Sequence, residues 1–117
     1  MTEFVIGFLR REVSGAEWQQ DEESSHALAR QFGWSIVLMY YGDPNLPGAV
    51  INRLMNYAYN ESVSAVIAPC FDHFEDGDIP ALVKFADVVC ARTRRGYTVA
   101  QHGDVGGMLK RISIGIE

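Results

Sequence analysis

The chain has 117 residues, 48% of them hydrophobic and 21% charged, and its 15 acidic against 10 basic side chains give a formal net charge of −5. That length supports one domain, since two cores would each fall near the size at which burial becomes marginal, and the composition excludes disordered and fibrous classes. The acidic balance disfavours strong autonomous binding to a phosphate backbone, and no apolar run of about 18 residues is present to span a membrane.

Phe4-Val5-Ile6-Gly7-Phe8-Leu9 is a nearly continuous apolar run, which predicts a central strand covered on both faces. From Glu17 to Phe32, Trp18, Leu28 and Phe32 fall on a helical face, Asp21, Glu22 and Glu23 place acid in the early turns, and Gly33 is the stop signal. Ser35 to Tyr41 reads as a second buried strand, followed by the turn Gly42-Asp43-Pro44-Asn45. Val50, Ile51, Leu54, Met55 and Ala58 mark a helix from about Gly48 to Asn60, and Val63 to Ala68 is the third strand.

Beyond the acidic loop Asp72 to Asp78, the spacing of Ile79, Leu82, Val83, Ala86, Val89 and Cys90 predicts a third helix with Pro80 in its first turn. Gly96 to Ala100 gives a fourth strand, and Met108, Ile112 and Ile116 predict a final helix beginning near Asp104. The expected architecture is therefore α/β in three layers, a parallel sheet of four main strands with helices on both faces.

Three local matches occur in order along this scaffold. Gly7-Phe8-Leu9-Arg10 ends the first strand, Asp72-His73-Phe74-Glu75-Asp76 follows the third, and Gly103-Asp104-Val105-Gly106-Gly107-Met108 opens the last segment. Together with Leu46-Pro47-Gly48 before the second helix, they resemble the catalytic domain of the serine recombinases (resolvases and invertases). That family carries Gly-Tyr-x-Arg-Val-Ser, Asp-Arg-Leu-Gly-Arg, Gly-Asp-Met-Gly-x-Met and Arg-Pro-Gly at the corresponding places. The resemblance covers essentially the whole chain and implies a resolvase-like domain over 1–117, with an α/β core over 1–102 and the start of a dimerisation helix over 103–117.

By the same resemblance, Arg10 holds the first-strand phosphate position and Asp72 the acidic position of the later motif. Glu12 stands where the family has its nucleophilic serine, with Ser14 two positions late. Leu46, His73 and Asp76 stand where it has arginines. Phosphoryl transfer needs a hydroxyl and several guanidinium forks around the phosphate; Glu12 and Asp76, if close, would repel it. The expectation is a domain that has lost strand exchange and acts through oligomerisation or a DNA-associated complex. An active recombinase domain is the alternative, with Ser14 as nucleophile, Arg10 and Arg11 as clamps, and Arg92, Arg94 or Arg95 recruited from elsewhere. A flavodoxin-like small-molecule-binding domain is a third reading.

Other features carry less. Cys70 and Cys90 lack metal-ligand spacing and read as buried thiols, so neither metal nor cofactor is implied. Cys70 with His73 lacks an orienting third group for thiol catalysis. Arg92-Thr93-Arg94-Arg95, the one dense basic cluster, reads as a solvated helix C-terminus or a site for phosphate or an acidic partner. Gly103 to Gly107 lacks the lysine of a phosphate loop. Asp43, Asp72, His73, Asp76 and Asp78 fall on loops at or just after predicted strand ends, where open α/β sheets bind ligands. Tyr57 and Tyr59 cannot both face the core of one helix.

The expected partner is a second copy of the chain through residues 103–117, with DNA reached only through a partner or a C-terminal domain. The chain stops at Glu117, short of the family's long helix and DNA-binding domain, as a shortened chain or a stand-alone degenerate copy would. A start, Met1-Thr2-Glu3-Phe4, without the features of a signal peptide gives a cytoplasmic expectation.

Overall fold

The computed structural model describes residues 3–97 and 111–113. In chain order these form β1 (Glu3–Leu9), α1 (Arg11–Ser14), a 3-10 turn (Gly15–Glu17), α2 (Trp18–Phe32), β2 (Trp34–Tyr41), α3 (Pro47–Asn60) and β3 (Ala65–Ala68). A second 3-10 turn (Phe71–His73), α4 (Asp78–Leu82), β4 (Asp87–Cys90), β5 (Arg95–Tyr97) and β6 (Arg111–Ser113) follow. The strands make one sheet in the order β2-β1-β3-β4-β5-β6. The first four are parallel, whereas β4, β5 and β6 pair antiparallel.

The α/β architecture with helices on both faces follows from the alternation of the buried strands. In β1, Ile6 and Phe8 join Val50, Leu54 and Ala58 of α3 and Leu82 of α4 in one core cluster, with Val66 and Val88 from the neighbouring strands. Val5 turns the other way and packs with Leu28 and Ala29 of α2, Ala65, Ile67 and Val89. A strand enclosed on both faces has no polar side, which is why β1 and β3 read as unbroken apolar runs. β2 is reached through α2 on one face and β3 through α3 on the other, so the winding reverses beside β1. A crevice at the strands' C-terminal ends follows from that reversal.

Three expectations from the sequence are corrected. The helix predicted from Ile79 through Cys90 stops at Leu82; Ala86 N–H still reaches Leu82 O, but Asp87 then enters β4 alongside Ala65. β3 needs a hydrogen-bonding partner on its outer side, and Val88 and Val89, pointing to opposite cores, supply it. Second, the sheet is mixed, because the turn Ala91–Arg94 folds β5 straight back onto β4. Gly96 makes that pairing close: a Cβ there would lie 2.6 Å from the Val88 carbonyl oxygen. Third, Arg111–Ser113, expected within the terminal helix, is a strand on β5. The rest of the expected 103–117 helix, with its Gly103–Met108 motif, and Thr98–Ala100 of the expected fourth strand lie outside the described residues.

One irregularity marks the sheet's edge. Val5 pairs with Ile36 and Ile6 with Leu38, so Val37 is an extra residue in β2 with no partner in β1, and it is 41% exposed. No helix among the described residues is long and apolar enough to cross a membrane.

Candidate functional site

β1 delivers Arg10 to the crevice at the strand ends. Although charged, Arg10 is only 4% exposed, and Gly42 crowds it so closely that a Cβ there would sit 3.2 Å from Arg10 Cγ. Burial on this scale makes unpartnered donors costly, and two of the Arg10 donors are hydrogen-bonded. The Arg10 amide donates to His73 Nδ1 at 2.8 Å and Arg10 Nε donates to His73 O at 2.7 Å. Its terminal nitrogens face Glu12 Oε2 at 3.8 Å and Asp78 Oδ2 at 4.0 Å. Asp78 also accepts the Glu75 amide at 2.8 Å. Burial pushes the Asp78 carboxyl above its ordinary range, against the lowering effect of that amide and of Arg10.

His73 comes from the 3-10 turn after β3 and is 1% exposed. Burial holds its pKa below the ordinary value, opposed by the attraction of Asp21 for the cationic form. Because Nδ1 accepts from the Arg10 amide, the neutral ring carries its proton on Nε2. Nε2 lies 3.4 Å from Ser14 Oγ, at the end of α1. Ser14 Oγ in turn donates to Asp21 Oδ2 at 2.7 Å, and Asp21 Oδ1 accepts from Arg92 Nη2 at 2.7 Å. Burial pushes the Asp21 carboxyl up, but the Ser14 hydrogen bond and Arg92 outweigh it and leave the pKa below its usual value. The same pair holds the Arg92 guanidinium above its ordinary pKa through the Asp21 hydrogen bond.

The result is one chain of contacts, Arg10–His73–Ser14–Asp21–Arg92, tying the ends of β1, β3 and β4 to α1 and α2. Its chemistry is restricted. A base for Ser14 must present a free lone pair, and in the neutral ring neither imidazole nitrogen does: Nδ1 holds the Arg10 amide and Nε2 bears hydrogen. Asp21 is the group that accepts the Ser14 proton, and its lowered pKa makes it a weak base. His73 therefore acts toward Ser14 as a donor.

Of the residues singled out from sequence, the structure brings Arg10, Glu12, Ser14 and His73 together. Asp72 and Asp76 are exposed, and Asp76 lines a separate groove with Phe71, Phe74 and Tyr97. The carboxylate beside Arg10 opposite Glu12 is Asp78, not Asp76. Leu46 is 47% exposed at the start of α3. Arg11 stacks against Trp18 and Tyr41, with its Cζ 4.1 and 4.4 Å from the ring centroids. Arg92, Arg94 and Arg95 lie on or beside the β4–β5 turn rather than at a helix end. Asp21 is the contributor that sequence reasoning missed, because in the first turn of α2 it passes for helix-dipole complementation; Arg92, expected as a recruit to the active reading, reaches the site through it. No protein-family profile, curated protein or solved structure matches the chain.

Proposed function

We propose that the chain is a resolvase-like domain that has lost DNA strand exchange and works through protein contacts, as a homodimer through residues 103–117 or within a DNA-associated complex. The observation that carries this reading is the commitment of Arg10. A scissile phosphate requires open guanidinium forks to take up charge as it develops, and here the Arg10 fork is buried against the His73 carbonyl, Glu12 and Asp78. The carboxylates that neutralise it would also repel a phosphodiester entering the same crevice.

The active reading has one observation in its favour: the half-buried Ser14 hydroxyl already donates to a carboxylate at 2.7 Å. In that mechanism Asp21 takes the Ser14 proton as Oγ attacks phosphorus and the 3′ oxygen of the cleaved strand leaves.

Incubation with nicked duplex substrates that trap covalent intermediates, followed by mass spectrometry, distinguishes the two. The expected outcome is no protein–DNA adduct; a phosphoseryl adduct on Ser14 that disappears in Ser14→Ala overturns the proposal. Light scattering tests the dimer. A dimer that becomes monomeric on Ile112→Asp supports an interface at 103–117, and a monomer in both cases removes it.

A further inference from the structure

A groove of about 330 Å³ separates α2 from the β4–β5 turn, and its lining includes Leu28 and Gln31 from α2 and Ala91, Arg92 and Arg94 from the turn. Among the described residues no carboxylate lines it, in a chain whose acidic residues outnumber its basic ones by 15 to 10. We propose that this groove is a binding site for a phosphate ester with a compact organic body, with Arg92 and Arg94 holding the phosphate and Ser24, Ala27, Gln31 and Ala91 bordering the space for the body. The inference stands independently of the resolvase-like reading.

The two guanidiniums are held differently. Arg92 is already paired with Asp21. Arg94 Nη2 donates to the uncharged Gln31 Oε1 at 2.9 Å, and among the described residues no carboxylate pairs with it. A guanidinium that, among the described residues, donates to a neutral amide and to no carboxylate keeps its charge for an incoming anion, and the planar fork matches phosphate oxygens two at a time.

The backbone places Arg94 there at a cost. Its φ is 58°, in the left-handed region that side chains other than Gly, Asn and Asp rarely adopt. Its amide donates to Cys90 O at 2.9 Å and so closes the turn. A glycine would serve that turn with less strain, so the turn geometry does not account for an arginine. What arginine adds is a cation aimed along the groove beside Gln31.

The site's size and chemistry narrow the ligand. About 330 Å³ lies at the lower end of small-molecule sites, and a mononucleotide combines a dianionic phosphate with a flat body of that order. The same phosphate chemistry is offered by a free mononucleotide and by the phosphorylated end of a strand. Because Arg92 also holds Asp21, an anion on Arg92 competes with that carboxylate for the guanidinium, and its occupancy is felt at Ser14.

The test is a titration of the isotopically labelled full chain, followed by NMR, with adenosine monophosphate, adenosine, inorganic phosphate and a 5′-phosphorylated oligonucleotide. Saturable shifts of the Arg94 Nε and Ala91 amide signals are expected with the monophosphate, accompanied by a shift at Ser14, and adenosine is expected to bind at least tenfold more weakly. Arg94→Gly keeps the turn, raises the melting temperature and weakens monophosphate binding at least tenfold. Saturation by the oligonucleotide but not the monophosphate assigns the ligand to a strand end, and the reverse assigns it to a free ester. The proposal is overturned if no phosphate-bearing probe saturates below about 10 mM, past the range of even weak specific binding, or if Arg94→Gly binds as tightly as the parent chain.

Discussion

The two ends of the polar chain at the strand termini are built from the same residue types and behave oppositely. At the β1 end, Arg10 has 5% side-chain exposure and faces a carbonyl and two carboxylates, so its position is set by the core around it. At the β4 end, the Arg92 side chain is 56% exposed, yet it bonds a carboxylate that is itself only 8% exposed. One arginine is an internal strut; the other is a lid on a buried acid. A charged side chain in a crevice is not thereby a ligand-binding group, since only the second can exchange partners without disturbing the core.

Three substitutions put the strut and the lid to the test. The largest effect is expected for Arg10→Ala, which removes the donor to His73 O and leaves Asp78 buried beside a void. Denaturant melts should report a loss of about 3 kcal/mol, in the range for breaking a buried charged contact; a loss below about 1 kcal/mol would make Arg10 no more structural than a surface residue.

Next is the acid side of the stability curve. The folded pKa of His73 lies below its unfolded value of 6.5, so the unfolded chain binds the extra proton as the pH drops. The stability this group contributes is complete above about pH 6.5 and declines as pH falls toward the folded value. Asp21, also lowered, adds a decline of the same sign below its ordinary 3.8. Asp78, raised by burial, runs the other way and disfavours the folded state as the pH climbs through its titration. His73→Asn, whose side-chain oxygen can still accept the Arg10 amide, should flatten the decline just below pH 6.5; an unchanged slope would show that His73 is not the titrating group.

The smallest effect is expected for Arg92→Gln. With most of its side chain in solvent, the ion pair is screened, and a loss of about 1 kcal/mol is expected. The discriminating readout is the Asp21 carboxyl, whose titration by NMR should move up toward ordinary values when Arg92 goes. A loss as large as that of Arg10→Ala would erase the distinction between strut and lid.

How much of this was legible in the sequence divides at Asp72. Up to Ala68 the three strands and the two long helices each have an apolar pattern of their own, bounded by turn residues such as Gly33 and Gly42-Asp43-Pro44, and their observed bounds fall within two residues of those expected; the short α1 and the 3-10 turn after it carry no such pattern and were not expected. After Asp72, a strand enclosed on both faces placed Val88, Val89 and Cys90 in succession, and two of the three also fit the spacing begun by Ile79 and Leu82. Hydrophobic spacing cannot separate a helix from a short helix, a turn and a buried strand in sequence. At the end of the chain Ile112, Ile114 and Ile116 alternate with Ser113, Gly115 and Glu117, a period-two signal that fits the strand at Arg111–Ser113 better than a helix. In the candidate site, Arg10, Glu12 and Ser14 were readable because they follow a strand end directly. The Asp21–Arg92 contact joins residues 71 positions apart, and nothing local in either segment announces it.

The unpaired Val37 has a bearing on how the molecule survives at high concentration. Among the described residues β2 lies at the sheet's outer edge, eight residues from Trp34 to Tyr41 without a charge or a proline. A flat strand of that kind is a template for edge-to-edge aggregation. The bulge splits it into Trp34–Ile36 and Leu38–Tyr41, segments out of step with each other, so an intruding strand in register with one is out of register with the other. A single misfit residue thus does the protective work that lysines do on other sheet edges.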